Sequence, residues 1–133
     1  MDFSEMITFA TTADLERADA FYRGKLGLRL VADQGACRIY HVGGNAYLGL
    51  CRSKDGRAPT TGGMIITFVS ADVERRYAEL SERGVVFESE PKFNADYNIT
   101  HCFLRDPDGR LLEIQRFEDS QWRPGRDVAA AED

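Results

Sequence analysis

The chain contains an internal repeat of about half its length. The tetrapeptide Asp-Leu-Glu-Arg at 14–17 recurs as Asp-Val-Glu-Arg at 72–75, and each copy follows a short run typical of a strand. After each copy, apolar residues recur at helical spacing until a glycine, Gly27 or Gly84, where a helix can end. The Asp that opens each copy suits a helix N-cap, because its side chain can accept from a free backbone N–H. A unit of strand, helix and further strands that occurs twice predicts one domain built by duplication.

Length and composition narrow the class of protein. A chain of 133 residues is predicted to form a single domain, spanning 1–133, with a substantial core. Its hydrophobic content of 43% is ordinary, and its net charge of −5 does not favour nucleic-acid binding, which usually needs a basic surface. No apolar run approaches the roughly 20 residues that span a bilayer, and segment 1–5 lacks signal-peptide features. We therefore expect a cytoplasmic protein that binds neither nucleic acid nor membrane.

The three cysteines form no recognisable sequence motif. Cys37, Cys51 and Cys102 are odd in number and lack metal-ligand spacing. The sequence therefore predicts three reduced thiols in a cytoplasmic protein.

Periodicity and turn residues predict the following α+β element order. The first repeat is predicted to contain a helix at 14–26 and strands at about 5–11, 28–32, 37–42 and 46–52. A polar linker at 53–63 follows. The second repeat is predicted to contain a helix at 72–83 and strands at about 64–70, 85–89, 99–105 and 110–117, with a loop at 88–98 and a tail at 118–133.

The last two predicted strands form a recognisable hairpin. Asp-Pro-Asp-Gly at 106–109 joins them, because Pro sets φ, Asp caps its own backbone and Gly takes φ > 0. The second strand carries a single carboxylate, Glu113, among apolar residues. Such a carboxylate either faces solvent or serves a function.

The duplicated βαβββ unit, the Phe-Tyr…Leu-Gly helix end and the terminal Asp-Pro-Asp-Gly-x-x-x-Glu hairpin together resemble the vicinal oxygen chelate superfamily. That superfamily includes glyoxalase I, extradiol dioxygenases, fosfomycin-resistance transferases and bleomycin-resistance proteins. The resemblance covers roughly 5–117. It implies two modules, at about 5–52 and 64–117, whose curved mixed β-sheet forms a half-barrel around a cavity.

In metal-dependent members, four strand positions of this cavity bind a divalent metal. Glu113 matches one of these positions, whereas the other three are Ile7, Ile65 and a position near Gly49. Isoleucine and glycine side chains offer no oxygen or nitrogen donor. We therefore predict no metal site of the usual kind and no cofactor.

Strand alternation predicts which side chains line the cavity. In a regular hairpin Arg105 pairs with Arg110, which places Cys102 opposite Glu113 and His101 on the other face. The direction of the His41 side chain is left open, because it depends on whether the turn at Gly43-Gly44 holds two or three residues. Glu113 is the candidate catalytic residue, as a proton carrier or as the anchor of a basic ligand. The predicted ligand-binding residues are Ile7, Phe9, Thr11, Tyr47, Gly49, Ile65, Thr67, Cys102, Leu111, Gln115 and, at the mouth, Tyr97.

Two functions remain open. The first is a metal-free, small-molecule-binding protein that resembles bleomycin-resistance proteins and forms a homodimer, since open sheets leave edges to be covered. The second is a lyase, isomerase or dioxygenase with a non-standard metal site that uses Glu113 with His41 or His101.

Overall fold

A computed structural model describes residues 1–54, 57–120 and 122. Each repeat contributes one helix and four strands. The first repeat comprises β1 (Met6–Thr12), α1 (Leu15–Asp19) with a π-helical continuation (Ala20–Lys25), β2 (Arg29–Asp33), β3 (Cys37–Gly43) and β4 (Ala46–Arg52). The second comprises β5 (Ile66–Val69), α2 (Val73–Glu82), β6 (Lys92–Asn94), β7 (Ile99–Arg105) and β8 (Leu111–Phe117).

The strands form two mixed four-stranded sheets with the same internal order. The first sheet runs β1-β4-β3-β2 and the second runs β5-β8-β7-β6. In each, the opening strand lies parallel to the last strand of its repeat, and the other pairs are antiparallel. The predicted α+β class and the duplication are therefore confirmed.

Both helices begin where the sequence predicts. The side chain of Asp14 accepts from Arg17 N at 3.1 Å, and that of Asp72 accepts from Arg75 N at 3.2 Å. Both helices end before a glycine with positive φ, 75° at Gly27 and 88° at Gly84.

One hydrophobic cluster joins the two repeats. Its buried members from the first repeat include Leu15, Tyr22, Tyr40, Leu48 and Leu50, and those from the second include Val73, Leu80, Leu104, Leu112 and Ile114. These side chains project from the helices and from one face of each sheet, which leaves the opposite faces free of this core. We call these opposite surfaces the open faces.

The structure corrects the prediction between α2 and β7. The segment predicted as a strand at 85–89 makes only an isolated bridge, Phe87 to Leu104. The edge strand is instead β6, inside the predicted loop at 88–98. Val85 is buried while Val86 is 85% exposed, and Pro91, which has no N–H to donate, separates the bridge from β6.

The cysteines also differ from expectation. Cys37 and Cys51 lie opposite each other on β3 and β4 and form a disulfide, so the prediction of reduced thiols was wrong for this pair. Cys102 is a free, buried thiol.

The remaining segments give little further information. Of the predicted tail at 118–133, residues 121 and 123–133 lie outside the described residues, as do linker residues 55 and 56. In the described part of the chain, no helix has the length and apolar character needed to cross a membrane.

Candidate ligand site

The hairpin of β7 and β8 has a register one residue different from the predicted one. Arg105 pairs with Leu111, not Arg110, so the connecting loop holds five residues. Because side chains alternate along a strand, this shift reverses the face of every β7 residue. Phe103 now lies opposite Glu113, and His101 lies opposite Gln115 on the same face.

The prediction that Cys102 lines the ligand site was therefore wrong. It is 0% exposed and packs in the core, on the opposite side of the sheet from Glu113. Burial raises the pKa of its thiol to about 11, with the negative charges of Glu113 and Glu74 adding to the effect.

Glu113 lies at the centre of a polar cluster on the open face of the second sheet. Its Oε1 accepts from the Thr67 hydroxyl at 2.7 Å, and its Oε2 lies 2.5 Å from His101 Nδ1. With its amide nitrogen turned toward the carboxylate, Gln115 donates to both oxygens at 3.1 and 3.2 Å. Both carboxylate oxygens therefore have hydrogen-bond partners within the protein, as polar atoms of a side chain only 9% exposed require.

His101, which strand alternation placed on the other face and which was not among the predicted ligand-binding residues, is part of this cluster. Its side chain is 16% exposed and its ring packs edge-on against Phe103, with centroids 5.0 Å apart. Because Nδ1 faces the carboxylate, the hydrogen-bond network assigns a proton to Nδ1. Nε2 is then a hydrogen-bond acceptor in the neutral ring. The sequence signal that could have found this contact was the loop length, since a five-residue loop places His101 on the same face as Glu113, opposite Gln115.

The open face of the first sheet is apolar at its centre. Ile7, Phe9 and Thr11 pair with Tyr47, Gly49 and Cys51 along β1 and β4. The Phe9 ring lies over Gly49, and a Cβ added there would come within 2.4 Å of the ring. Phe9 thus occupies the space that a side chain at Gly49 would need.

The other predicted residues are distributed as follows. Leu111 lies on the same face of β8 as Glu113, and Ile65 lies directly before β5 with 52% of its surface exposed. Tyr97 is 74% exposed in the turn after β6. His41 belongs to the first sheet, where its Nε2 lies 2.9 Å from Gly44 O and its ring contacts Tyr47.

The residues at the four family positions do not fit a metal. Ile7, Gly49 and Ile65 offer no donor atom, and Phe9 covers Gly49. Among the described residues, no group of three or more His, Cys, Asp or Glu side chains is arranged to hold an ion. His101 and Glu113 are only two ligands, and they already bond each other.

A separate cavity of about 340 Å³ lies between the repeats. It is lined by residues such as Leu26, Val42, Phe68, Leu80 and Arg83, and not by the Glu113 cluster. In a single chain, the Glu113 cluster lies on an open face and not at the bottom of this cavity.

Two βαβββ repeats, each with its opening strand parallel to its closing strand, and a carboxylate on the last strand define a glyoxalase-type fold. Residues 7–114 match the sequence pattern of the Glyoxalase/Bleomycin resistance protein/Dioxygenase superfamily, and the chain belongs to this superfamily.

Individual relatives are distant. An uncharacterized protein of Bacillus subtilis (strain 168), YraH, is 25% identical over 117 residues, covering 77% of this chain and 90% of YraH. A glyoxalase/bleomycin resistance protein/dioxygenase from Nocardioides superposes with a TM-score of 0.75 at 20% identity, over 94% of this chain and 89% of that one. A lactoylglutathione lyase from Agrobacterium tumefaciens superposes with a TM-score of 0.71 at 21% identity, over 88% and 96%. At these identities the structural neighbours share the fold.

Proposed function

We propose that this chain is a small-molecule-binding protein of the superfamily that works without the family's usual set of metal ligands. The observation that carries the proposal is the 2.5 Å contact between His101 Nδ1 and Glu113 Oε2. The one family position that keeps a donor residue is thus engaged by a neighbouring imidazole, while the other three positions cannot bind an ion.

The ligand contacts His101 and not Glu113 directly. Thr67, His101 and Gln115 provide the donors for the Glu113 oxygens, which leaves the carboxylate poorly placed to take a further cation. Glu113 instead fixes the ring so that Nε2 is the free polar atom, as a carboxylate does for many functional histidines. A ligand hydroxyl or amine that donates to Nε2, with an apolar body against Phe103, suits this face. The catalytic role predicted for Glu113 becomes a positioning role in this proposal.

The site is completed by a second copy of the chain. In one chain the open faces expose large apolar side chains, with Ile7 at 41%, Phe9 at 54%, Ile65 at 52% and Val69 at 58%. Large apolar side chains exposed side by side on a strand face, as Ile7 and Phe9 are, are typical of an interaction site. A homodimer that covers this apolar surface would turn the Glu113 face into an enclosed pocket. We propose that the protein is located in the cytoplasm.

A ligand screen by thermal shift tests this proposal. Wild type is compared with His101→Gln and Glu113→Gln, and His41→Gln is the matched control because the His41 ring contacts Gly44 O and Tyr47 and not the Glu113 cluster. We expect hits on wild type and His41→Gln, and an affinity loss of about tenfold in His101→Gln, the size of one hydrogen bond to a ligand. Glu113→Gln should lose less, because an amide oxygen can still accept from Nδ1. Hits that bind all four proteins equally would contradict the proposed site.

The second candidate, an enzyme with a non-standard metal site, is favoured only by the pairing of His101 with Glu113. Metal analysis of protein dialysed without chelator separates the two candidates. We expect much less than one equivalent of zinc, nickel, iron or manganese per chain, because two ligands hold such ions weakly. One equivalent that disappears in Glu113→Gln would favour the enzyme.

A further inference from the structure

We propose that Cys37 and Cys51 form a reversible dithiol–disulfide couple that reacts with low-molecular-weight thiols from the open face of the first sheet. This couple is a covalent site separate from the Glu113 cluster, which lies on the other sheet. It does not depend on the proposed ligand function, but it requires that the Cys37–Cys51 end of the first sheet lie outside the proposed dimer interface.

The backbone brings the two cysteines together. Cys37 of β3 and Cys51 of β4 are direct partners in an antiparallel register, with Cα atoms 4.0 Å apart. The hydrogen bond from Arg52 N to Ala36 O flanks this pair, so the cysteines occupy a non-hydrogen-bonded position, where opposing side chains approach most closely. Strand pairing therefore holds the two sulfur atoms within reach of each other whether or not they are bonded.

Access of a small reagent to the couple rests on the partial exposure of both cysteine residues in a single chain. Both cysteines are half-buried and not enclosed in the core. Cys51 lies next to Thr11 on the open face of the sheet, the same face that carries Phe9. A thiolate must reach a sulfur atom to attack it, and only a bond at the surface permits this in the folded protein.

The sheet retains other contacts that hold β3 against β4. Only 14 positions separate the two cysteines, so the disulfide constrains the unfolded chain less than a bond closing a long loop would. Five further register pairs join β3 and β4, from Arg38–Leu50 to Gly43–Ala46, and these remain after reduction. Both redox forms are therefore compatible with the same sheet.

The reaction balances with the thiol as the only co-reactant. A thiolate, RS⁻, attacks one Sγ, the Sγ–Sγ bond breaks, and its electron pair leaves on the other cysteine as a thiolate that takes up a proton. A second thiolate attacks the mixed disulfide and releases RSSR. In sum, two thiols are oxidised to one disulfide while the protein gains two electrons and two protons.

The third cysteine provides an internal control. Cys102 is fully buried, and its pKa of about 11 keeps its thiolate fraction about two orders of magnitude below that of an ordinary thiol at neutral pH. Labelling of the native protein by a thiol reagent should therefore report on the Cys37–Cys51 couple alone.

The experiment uses the full chain purified without reductant and equilibrated in mixtures of reduced and oxidised glutathione. After alkylation of the native protein, intact mass should show two modified thiols per chain in reduced mixtures and none in oxidised ones. Cys102→Ser should behave as wild type. Cys37→Ser, which leaves Cys51 unpaired, should accept one glutathione per chain from oxidised glutathione. Far-UV circular dichroism should be the same in both redox forms.

Three results would overturn the proposal. The first is a bond that reduced glutathione opens only in denaturant, which would make it a structural disulfide. The second is loss of the circular-dichroism spectrum on reduction. The third is a wild-type protein whose two cysteines remain reduced in oxidised glutathione.

Discussion

Asp19 is a nearly buried carboxylate whose charge depends on its hydrogen bonds. Its side chain is 9% exposed and accepts from the Tyr40 hydroxyl and from Arg23 Nη2, each at 2.6 Å. Burial alone would raise its pKa, but the donors Tyr40 and Arg23 outweigh this effect and hold the pKa below the ordinary value. Asp19→Asn should lower the free energy of unfolding at pH 7 by about 1–2 kcal/mol, since hydrogen bonds to a charged acceptor are stronger than those to an amide.

The loss of stability in Asp19→Asn should become smaller as the pH falls. Because the pKa of Asp19 is lower in the folded than in the unfolded chain, its stabilisation is complete above the unfolded value of about 3.9 and disappears as pH falls through the folded value. Urea titrations at pH 7 and pH 3 should show the gap between wild type and Asp19→Asn shrinking at the lower pH. Glu82→Gln, at an exposed carboxylate of α2, is the control and should change little. A gap that does not change with pH would show that the charge of Asp19 contributes nothing.

At individual residues, the sequence located Glu113 and its partners Thr67 and Gln115 but placed His101 on the wrong face. Alternation along a strand is reliable only once the register is known, and the register depends on the turn. The predicted register requires the turn to end at Gly109. Arg110 instead turns inward to Asp106, which extends the loop by one residue.

The β7–β8 loop contains a buried ion pair whose hydrogen bonds reach the first repeat. Arg110 Nη1 donates to Asp106 at 2.5 Å with side chains 4% and 0% exposed, and Arg110 Nη2 donates to Thr11 O in β1. The Tyr22 hydroxyl donates to the same carboxylate at 2.6 Å. Arg110→Met should cost about 3–5 kcal/mol of stability, because it removes the counter-charge of a buried carboxylate that keeps only the donors Tyr22 and two backbone N–H groups.

Arg105→Met is the matched control for this change. Arg105 is in the same hairpin, but its ion pair with Glu88 is about half exposed, so its loss should cost far less. The free energies of unfolding of both variants are measured by urea titration. Equal losses would mean that the buried pair of Arg110 with Asp106 contributes no more to stability than the exposed pair of Arg105 with Glu88.

Elements with strong local signals were predictable, and weak ones were not. The caps Asp14 and Asp72 set the helix starts, and β7 was predicted at its observed bounds, 99–105. The three-residue β6 has no alternation to detect and forms only because β7 offers it an edge. The apolar run at 85–87 appeared strand-like, yet it serves to bury Val85 in the core.

Among the described residues, the strand that ends each sheet pairs with a neighbour on one side only. β1 and β5 are terminal in their sheets, and they or their flanks expose Met6 at 71%, Phe9 at 54% and Val69 at 58%. An exposed edge with large apolar residues is a site for pairing with another chain. In a homodimer, two copies of the same surface would cover each other. The family resemblance predicted this assembly, and the exposure supports it independently.

Sedimentation velocity at micromolar concentration should therefore show a dimer. Phe9→Lys should shift the protein toward monomer, because a charge on the open face would have to be desolvated in the interface. Val86→Lys is the control, since Val86 is 85% exposed but lies outside both sheets, and it should stay dimeric. A monomeric wild type would refute the dimer, and an equal shift in both variants would place the interface away from the open faces. A dimer unaffected by Phe9→Lys would require a different surface to close the pocket around His101.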